Sequence, residues 1–225
     1  MNIIAIIPAR GGSKGVPKKN IKNFNGEPLV VHSIKYAQCC NLINEIYVST
    51  DDEEISSISS DYGASIIKRP SDLSGDFATT ESAIKHAINS LQKLPDIIVL
   101  LQPTSPYRPK NSLTDALSKF IENKYDTLLS ISPTHRFIWS IDKFDNINPK
   151  YDYLNRPRRQ DIKKTDTNFI ENGSLYIFTY KHFLSSNNRL GGKIGYIEFD
   201  ENFSYEIDTE FDFKFLEALV KDETN

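Results

Sequence analysis

Arg10, Lys14, Lys18 and Lys19 stand among Gly11, Gly12 and Gly15 in a stretch that reads IIAIIPARGGSKGVPKKN from Ile3 to Asn20. Glycines let a backbone come close to a ligand and present its N–H groups, while Arg and Lys supply positive charge. That pairing suits an anion with several oxygens, a phosphate above all. The glycine spacing matches neither a Walker A loop nor G-x-G-x-x-G. Near the other end of the chain stands Glu206-Ile207-Asp208. In an extended segment residues two apart share a face, so both carboxylates would point the same way. Such hard oxygen ligands can hold Mg²⁺ through a few bonds while phosphate and water oxygens complete the octahedron. Simpler alternatives exist for each: a solvated basic loop for the first, a helix cap at Asp208 for the second. Together they suggest a nucleoside triphosphate with Mg²⁺, and phosphoryl or nucleotidyl transfer. Those reactions need charge neutralisation and in-line positioning more than covalent help from the protein.

The elements that must position these groups can be read from the apolar pattern. Ile3 to Ile7 is an apolar run too short for a helix and stops at Pro8, which predicts a buried strand emptying into the basic loop. Ligands of open α/β sheets bind at the carboxyl ends of strands, where this loop lies. A helix opened by Pro28 follows over Leu29 to Ala37, then a strand over Glu45 to Thr50. Asp51 and Asp52 are placed to cap a helix from Glu53 to Tyr62, which Gly63 ends. A short strand, Ser65 to Lys68, runs into Arg69 and Pro70, and a polar loop from Ser71 to Ala78 precedes a helix over Ser82 to Leu94. Ile97 to Leu101 is the most apolar strand, which predicts a central place in the sheet, and it ends in Gln102-Pro103-Thr104. A helix over Ser112 to Glu122 and a strand over Thr127 to Ile131 follow. The regular pattern returns with strands at Ser174 to Thr179 and Ile194 to Phe199 and a helix from Asp212 to Val220. The β-α alternation predicts a three-layer α/β/α, Rossmann-like and mostly parallel sheet.

Between Pro133 and Asn168 the period is lost in a run of aromatic and charged residues. A stretch that long without clear elements is unusual inside a compact domain. It reads as an excursion, a β-hairpin arm that protrudes to pair with a second subunit, within a single domain spanning 1–225.

Composition removes several classes of function. A net charge of −3, from 27 Lys and Arg against 30 Asp and Glu, argues against a general binder of nucleic acid or anionic membrane. No apolar run is long enough to span a bilayer, and Met1 leads directly into the first strand without a leader pattern, so the expected location is the cytoplasm. The two cysteines, Cys39 and Cys40, are adjacent, a poor geometry for a disulfide and no zinc pattern, and one is expected to pack on the core. The histidines (His32, His86, His135, His182) lack ligand spacing.

The loop IIPARGGSKGVPKKN closely resembles the N-terminal motif of the CMP-sialic acid synthetases, the acylneuraminate cytidylyltransferases. The resemblance continues in order through VSTDD (Val48 to Asp52), KRP (Lys68 to Pro70), LLQPTSPYR (Leu100 to Arg108), IENGSLYIF (Ile170 to Phe178) and EIDTEFDF (Glu206 to Phe213). It implies a homodimeric enzyme that transfers CMP from CTP to a nine-carbon 2-keto acid sugar, N-acetylneuraminate or a related legionaminate or pseudaminate, for surface polysaccharide. The family resemblance places the triphosphate on Arg10, Gly11, Ser13, Lys14, Lys19 and Asn20. It places cytosine and ribose on Arg69, Ala78 and Thr80, and the acidic sugar on Gln102, Thr104, Arg159 and Asn172. Arg10 and Lys19 would act on the leaving pyrophosphate, and Asp208 with Glu206 would hold Mg²⁺. The family usually carries Asp-x-Asp where this chain has Glu206 and Asp208, so Asp208 is the expected ligand and Glu206 the supporting one. The stretch after Asp161 also departs from the family, which leaves Arg158 as an alternative to Arg159. A CMP-KDO synthetase and a nucleotide-binding protein without transferase activity are the alternatives. The GGSKG loop and the ENG segment disfavour the first, and the presence of Lys19 and Asp208 disfavours the second.

Overall fold

Strand β1 (Ile3–Pro8) sends Ile3, Ala5 and Ile7 to one face and Ile4 and Ile6 to the other, and all five are buried. A strand covered on both faces must read as continuous apolar sequence, which is why Ile3 to Ile7 does. The computed structural model describes residues 1–162 and 167–224, with the backbone alone at 159 and 222–224. After the basic loop comes a small hairpin of β2 (Asn23–Phe24) and β3 (Glu27–Pro28), then α1 (Leu29–Gln38), β4 (Glu45–Thr50) and α2 (Glu53–Asp61). The Asp52 side chain accepts the N–H of Ile55 at 2.9 Å and so caps α2, as expected from its position. Next are β5 (Ser65–Lys68), α3 (Thr80–Asn89), β6 (Ile97–Leu101), α4 (Ser112–Glu122) and β7 (Thr127–Thr134). A two-stranded hairpin, β8 (Trp139–Ile141) and β9 (Ile147–Pro149), leads towards β10 (Asn168–Thr179), α5 (Tyr180–Ser186), β11 (Ile194–Glu198) and α6 (Glu210–Thr224).

Seven strands form one sheet in the order β11-β7-β10-β6-β1-β4-β5, and β10 alone runs antiparallel to its neighbours. The mostly parallel α/β reading holds, and β6 is central with all five residues buried. One face of the sheet packs against α1, α2 and α4, the other against α3 and α5. A third, smaller core joins the ends of the chain. Ile207, Phe213 and Leu216, in and before α6, pack with Val16, Phe24 and Leu29. Fully burying one Ile of this kind is worth about 1.5–3 kcal/mol, so this cluster holds the C-terminal segment firmly on the basic loop. Cys40 is buried just after α1 and Cys39 is exposed, both as free thiols.

The aperiodic stretch is shorter than its sequence implies. β7 runs on to Thr134 and β10 starts at Asn168, and those two residues pair with each other. The early half of β10 escapes an apolar pattern because its ladder is broken by an irregularity between Glu171 and Tyr176. Beyond it, the β8–β9 hairpin turns at Asp142, whose carboxylate accepts the N–H groups of Phe144 and Asn146 at 2.8 and 3.0 Å. Trp139 packs edge-on against Tyr151, and the Arg156 guanidinium lies 4.4 Å from the Phe137 ring centroid. The helices also differ at their ends. α3 starts at Thr80 rather than Ser82, because the Thr79 side chain takes the cap by accepting the N–H of Ser82 at 3.1 Å.

Candidate functional site

Because β1, β4, β5 and β6 are parallel, the residues after each strand emerge on one edge of the sheet: Arg10, Asp51, Arg69 and Gln102. β1 is flanked by β4 on one side and β6 on the other; the chain winds outward from β1 to β4 and β5 and then crosses back to β6, and this reversal opens a crevice at the end of β1. A cleft of about 480 Å³ lies there. Of the residues singled out in the sequence, Arg10, Ser13, Lys14, Lys19, Asn20, Arg69, Ala78, Thr80, Gln102, Thr104 and Asp208 line it. Thr80 opens α3, so the positive end of that helix dipole also faces the cleft.

The basic loop is shaped by contacts beneath it. The Asn20 amide donates to the Arg10 carbonyl at 2.9 Å, and the Gly11 N–H is taken by Asp51 at 3.0 Å. Gly11 therefore builds the loop from below and does not line the cleft. Gly15 lies so close to the Asp208 carbonyl oxygen that any Cβ there would run into it. At this point the two ends of the chain meet. Lys19 Nζ donates to the Ile207 carbonyl at 2.8 Å and pairs with Asp208 Oδ1 at 3.1 Å. The Lys19 side chain is only 13% exposed, whereas that of Asp208 is 71% exposed and open to the cleft.

Asp208 does not cap α6. That task belongs to Thr209 and Asp212: Asp212 Oδ2 accepts the N–H of Thr209 at 2.7 Å and of Asp208 at 2.9 Å. Thr209 in turn accepts the Asp212 N–H at 3.3 Å. This reciprocal pair has the spacing of a capping box, and T-E-F-D in the sequence was the available signal for it. Ile207 points into the core, and its N–H donates to the Thr104 carbonyl at 2.7 Å. Glu206 is half-buried, its carboxylate directly over Gly173, whose φ of +67° and missing Cβ make room for it. Burial, and then the nearby charge of Asp208, raise the Glu206 carboxyl above its ordinary range. Glu206 does not line the cleft and Asp208 does, yet the Asp208 charge acts on Glu206, and paired carboxylate oxygens are the kind of donor a hard divalent cation takes.

Arg69 is buried, donates Nη2 to the Ser49 carbonyl at 3.2 Å, and has its Nε without a partner among the described residues. Burial lowers its pKa. Asn172 is brought to the same edge but turned inward. Its Oδ1 accepts from Ser130 Oγ at 2.5 Å and its Nδ2 donates to Ser132 Oγ at 3.0 Å, which stitches the β7–β10 irregularity. Arg159 lies in a one-turn helix, Arg159–Asp161, and its side chain falls outside the described residues. Arg158 pairs with Asp161 at 2.6 Å and is not part of the cleft lining.

One cleft residue had no signal in the sequence. Asp76, in the loop before α3, pairs with Lys14 Nζ at 2.9 Å and Arg10 Nη1 at 3.3 Å, while the Gly75 carbonyl accepts from Arg10 at 3.1 Å. The hydrogen bond from Lys14, followed by burial in the opposite direction, leaves the Asp76 carboxyl below its ordinary value. Two of the cations that the loop presents to the cleft are thus held by an internal anion.

A family profile for cytidylyltransferases matches residues 4–225. An N-acylneuraminate cytidylyltransferase A of Danio rerio is 35% identical over 97% of this chain and 51% of its own length. A pseudaminic acid cytidylyltransferase of Campylobacter jejuni is 32% identical over 98% of this chain and 97% of its own. An N-acylneuraminate cytidylyltransferase of Escherichia coli is 31% identical over 94% of this chain and 50% of its own. The chain therefore spans about half the length of the Danio rerio and Escherichia coli relatives and nearly all of the Campylobacter jejuni one. In three dimensions it is similar to a CMP:2-keto-3-deoxy-manno-octonic acid synthetase complexed with CTP. That similarity has a TM-score of 0.74 and 15% identity over 99% of this chain and 100% of the other, and it speaks for the fold.

Proposed function

The chain belongs to the cytidylyltransferase family, and from that premise we propose that it transfers CMP from CTP to the anomeric hydroxyl of a nonulosonic acid. The acceptor is N-acetylneuraminate or a related legionaminate or pseudaminate, and the second product is pyrophosphate. The observation that carries the reading is the Lys19–Asp208 contact, which joins a basic glycine-rich loop to a carboxylate 189 residues away in one cleft. In this reading the acceptor hydroxyl oxygen gives up its proton to solvent and bonds to the α-phosphorus as the bond from that phosphorus to the α–β bridging oxygen breaks, and the bridging oxygen leaves with pyrophosphate. Arg10, Lys14 and Lys19 offset the charge that grows on the departing pyrophosphate, with Ser13 beside them. Arg69, Ala78 and Thr80 hold the nucleoside; Gln102, Thr104 and Arg159 receive the sugar, Arg159 as partner for its carboxylate. Asn172 serves that subsite from behind, through the Ser130 and Ser132 contacts that fix the backbone next to Gly173.

Asp208, with Glu206, would hold Mg²⁺. When bound, the ion neutralises triphosphate oxygens and favours departure of pyrophosphate. The protein's own part is to keep Asp208 facing the cleft, through the Ile207 anchor and the Thr209–Asp212 cap. The β8–β9 arm carries exposed Ile138, Trp139, Ile141, Phe144 and Ile147, an apolar surface suited to a second copy of the chain, and we assign a homodimer on that ground. No helix among the described residues is long and apolar enough to cross a membrane, and the proposed location is the cytoplasm.

The deciding experiment offers CTP and Mg²⁺ with N-acetylneuraminate, legionaminate, pseudaminate and KDO in parallel and follows pyrophosphate release. Release with one of the first three is expected. Release with KDO alone would move the acceptor to an eight-carbon acid, and no release with any sugar would leave a nucleotide-binding protein without transferase activity.

A further inference from the structure

Arg108 follows the Gln102-Pro103-Thr104 segment, is only 8% exposed, and has no part in the chemistry described so far. Its guanidinium is consumed by fixed oxygens of three elements. Nη2 donates to the Gln102 carbonyl at 2.7 Å and the Ser174 carbonyl at 3.2 Å; Nε donates to Ser174 Oγ at 3.0 Å. Nη1 donates to Ser33 Oγ on α1 at 3.2 Å, and the guanidinium carbon lies 5.1 Å from the Tyr36 ring centroid. Burial lowers its pKa to about 10, so it stays a cation near neutrality, and no carboxylate among the described residues pairs with it. A buried cation without an opposite charge is costly to keep. Its planar fork of five donors satisfies several acceptors at once in a way that a lysine ammonium cannot reproduce.

The Gln102 and Ser174 acceptors share a location, and Ser33 ties them to α1. Gln102 follows β6 at the cleft, and Ser174 follows Gly173, over which the Glu206 carboxylate lies. None of these contacts reaches the basic loop or the segment before α3. We infer that Arg108 is a positioning residue for the acceptor-sugar half of the cleft, fixing Gln102 and the Gly173–Ser174 backbone as one unit independent of the triphosphate half. The assignment of that half to the sugar rests on the function proposed above; the mechanical unit does not.

The test uses the full chain carrying Arg108→Lys, with Ser174→Ala as a second variant that keeps the cation and removes one acceptor. Amide hydrogen exchange is read without any sugar, CTP affinity by calorimetry, and KM for the nonulosonate at saturating CTP. In Arg108→Lys, exchange should rise about tenfold or more across residues 102–105 and 172–176 and stay unchanged across residues 9–21. CTP affinity should stay within about twofold while KM for the sugar rises about tenfold, the scale of a modest misplacement. Ser174→Ala should move the same two segments in the same direction by less. Exchange that rises everywhere, or not at all, in folded Arg108→Lys overturns the inference, as does a parallel loss of CTP affinity. If the wild-type chain uses no nonulosonate, the proposed function fails, and the exchange pattern still decides the role of Arg108.

Discussion

At the scale of single residues, the site is governed by which charges are free and which are held. Asp208 is released from capping by Thr209 and Asp212, so its exposed carboxylate is left to pair with Lys19 and face the cleft. Asp208→Asn should therefore leave the fold and CTP binding in place while turnover falls by roughly 10²–10³, as for loss of a principal charge-stabilising group. Near-normal turnover with unchanged Mg²⁺ dependence would remove Asp208 from the site. Asp76 presents the opposite case, an internal anion on Arg10 and Lys14. A triphosphate that uses those cations must displace it, so Asp76→Asn should tighten CTP binding by about two- to fivefold, the range of an exposed ion pair. The gain should shrink with added salt. Weaker binding of CTP by the variant would show instead that Asp76 assists the nucleotide.

At the scale of elements, each local rule sets a boundary that the site depends on. The Thr79 cap starts α3 ahead of Ser82, where the apolar pattern alone would open it, and so brings Thr80 and the helix dipole to the cleft. The corner between the β2–β3 hairpin and α1 is tied by His32, whose Nε2 lies 2.8 Å from the Phe24 carbonyl oxygen. Burial lowers the His32 pKa, with smaller opposing effects from the Phe24 carbonyl and Glu27. A group whose folded-state pKa is depressed contributes stability above its unfolded value and loses it as pH falls through the folded one. Hence thermal stability should fall more steeply as pH drops below the ordinary histidine value of about 6.5 in the wild type than in His32→Gln, a side chain that cannot titrate. Equal slopes in the two proteins would place the acid sensitivity elsewhere.

At the scale of the whole molecule, the proposed dimer rests on the apolar residues that the β8–β9 arm exposes. Ile141 and Ile147 face each other across the β8–β9 pair and are 69% and 64% exposed. Replacing both with Asp should convert a dimer in sedimentation to a monomer with little change in the thermal transition of the sheet. If the partner's arm also closes the sugar site, KM for the sugar should rise in that monomer while CTP affinity holds. A wild-type chain that sediments as a monomer with full activity would exclude the arm from assembly.

The strands and most helices were legible because their causes are local. Ile3 to Ile7 and Ile97 to Leu101 are apolar without a break because both faces of the sheet are covered, and Asp52 caps α2 from the position its type predicts. The basic loop and the Glu206–Asp208 pair were also singled out by residue type and spacing, and the fold brings the loop and Asp208 to one cleft. Other features had no local signature. The antiparallel direction of β10 depends on the sheet neighbours it meets, and its first half is broken by the Asn172–Gly173 irregularity. The inward turn of Asn172 depends on Ser130 and Ser132, about forty residues away, and the Asp76 latch on a loop more than sixty residues earlier in the chain. Sequence alone thus determined the kinds of element and the kinds of charge, because propensity and periodicity act within a few residues. Tertiary structure decided which charges are free for a ligand, because burial and pairing are set by contacts between distant parts of the chain.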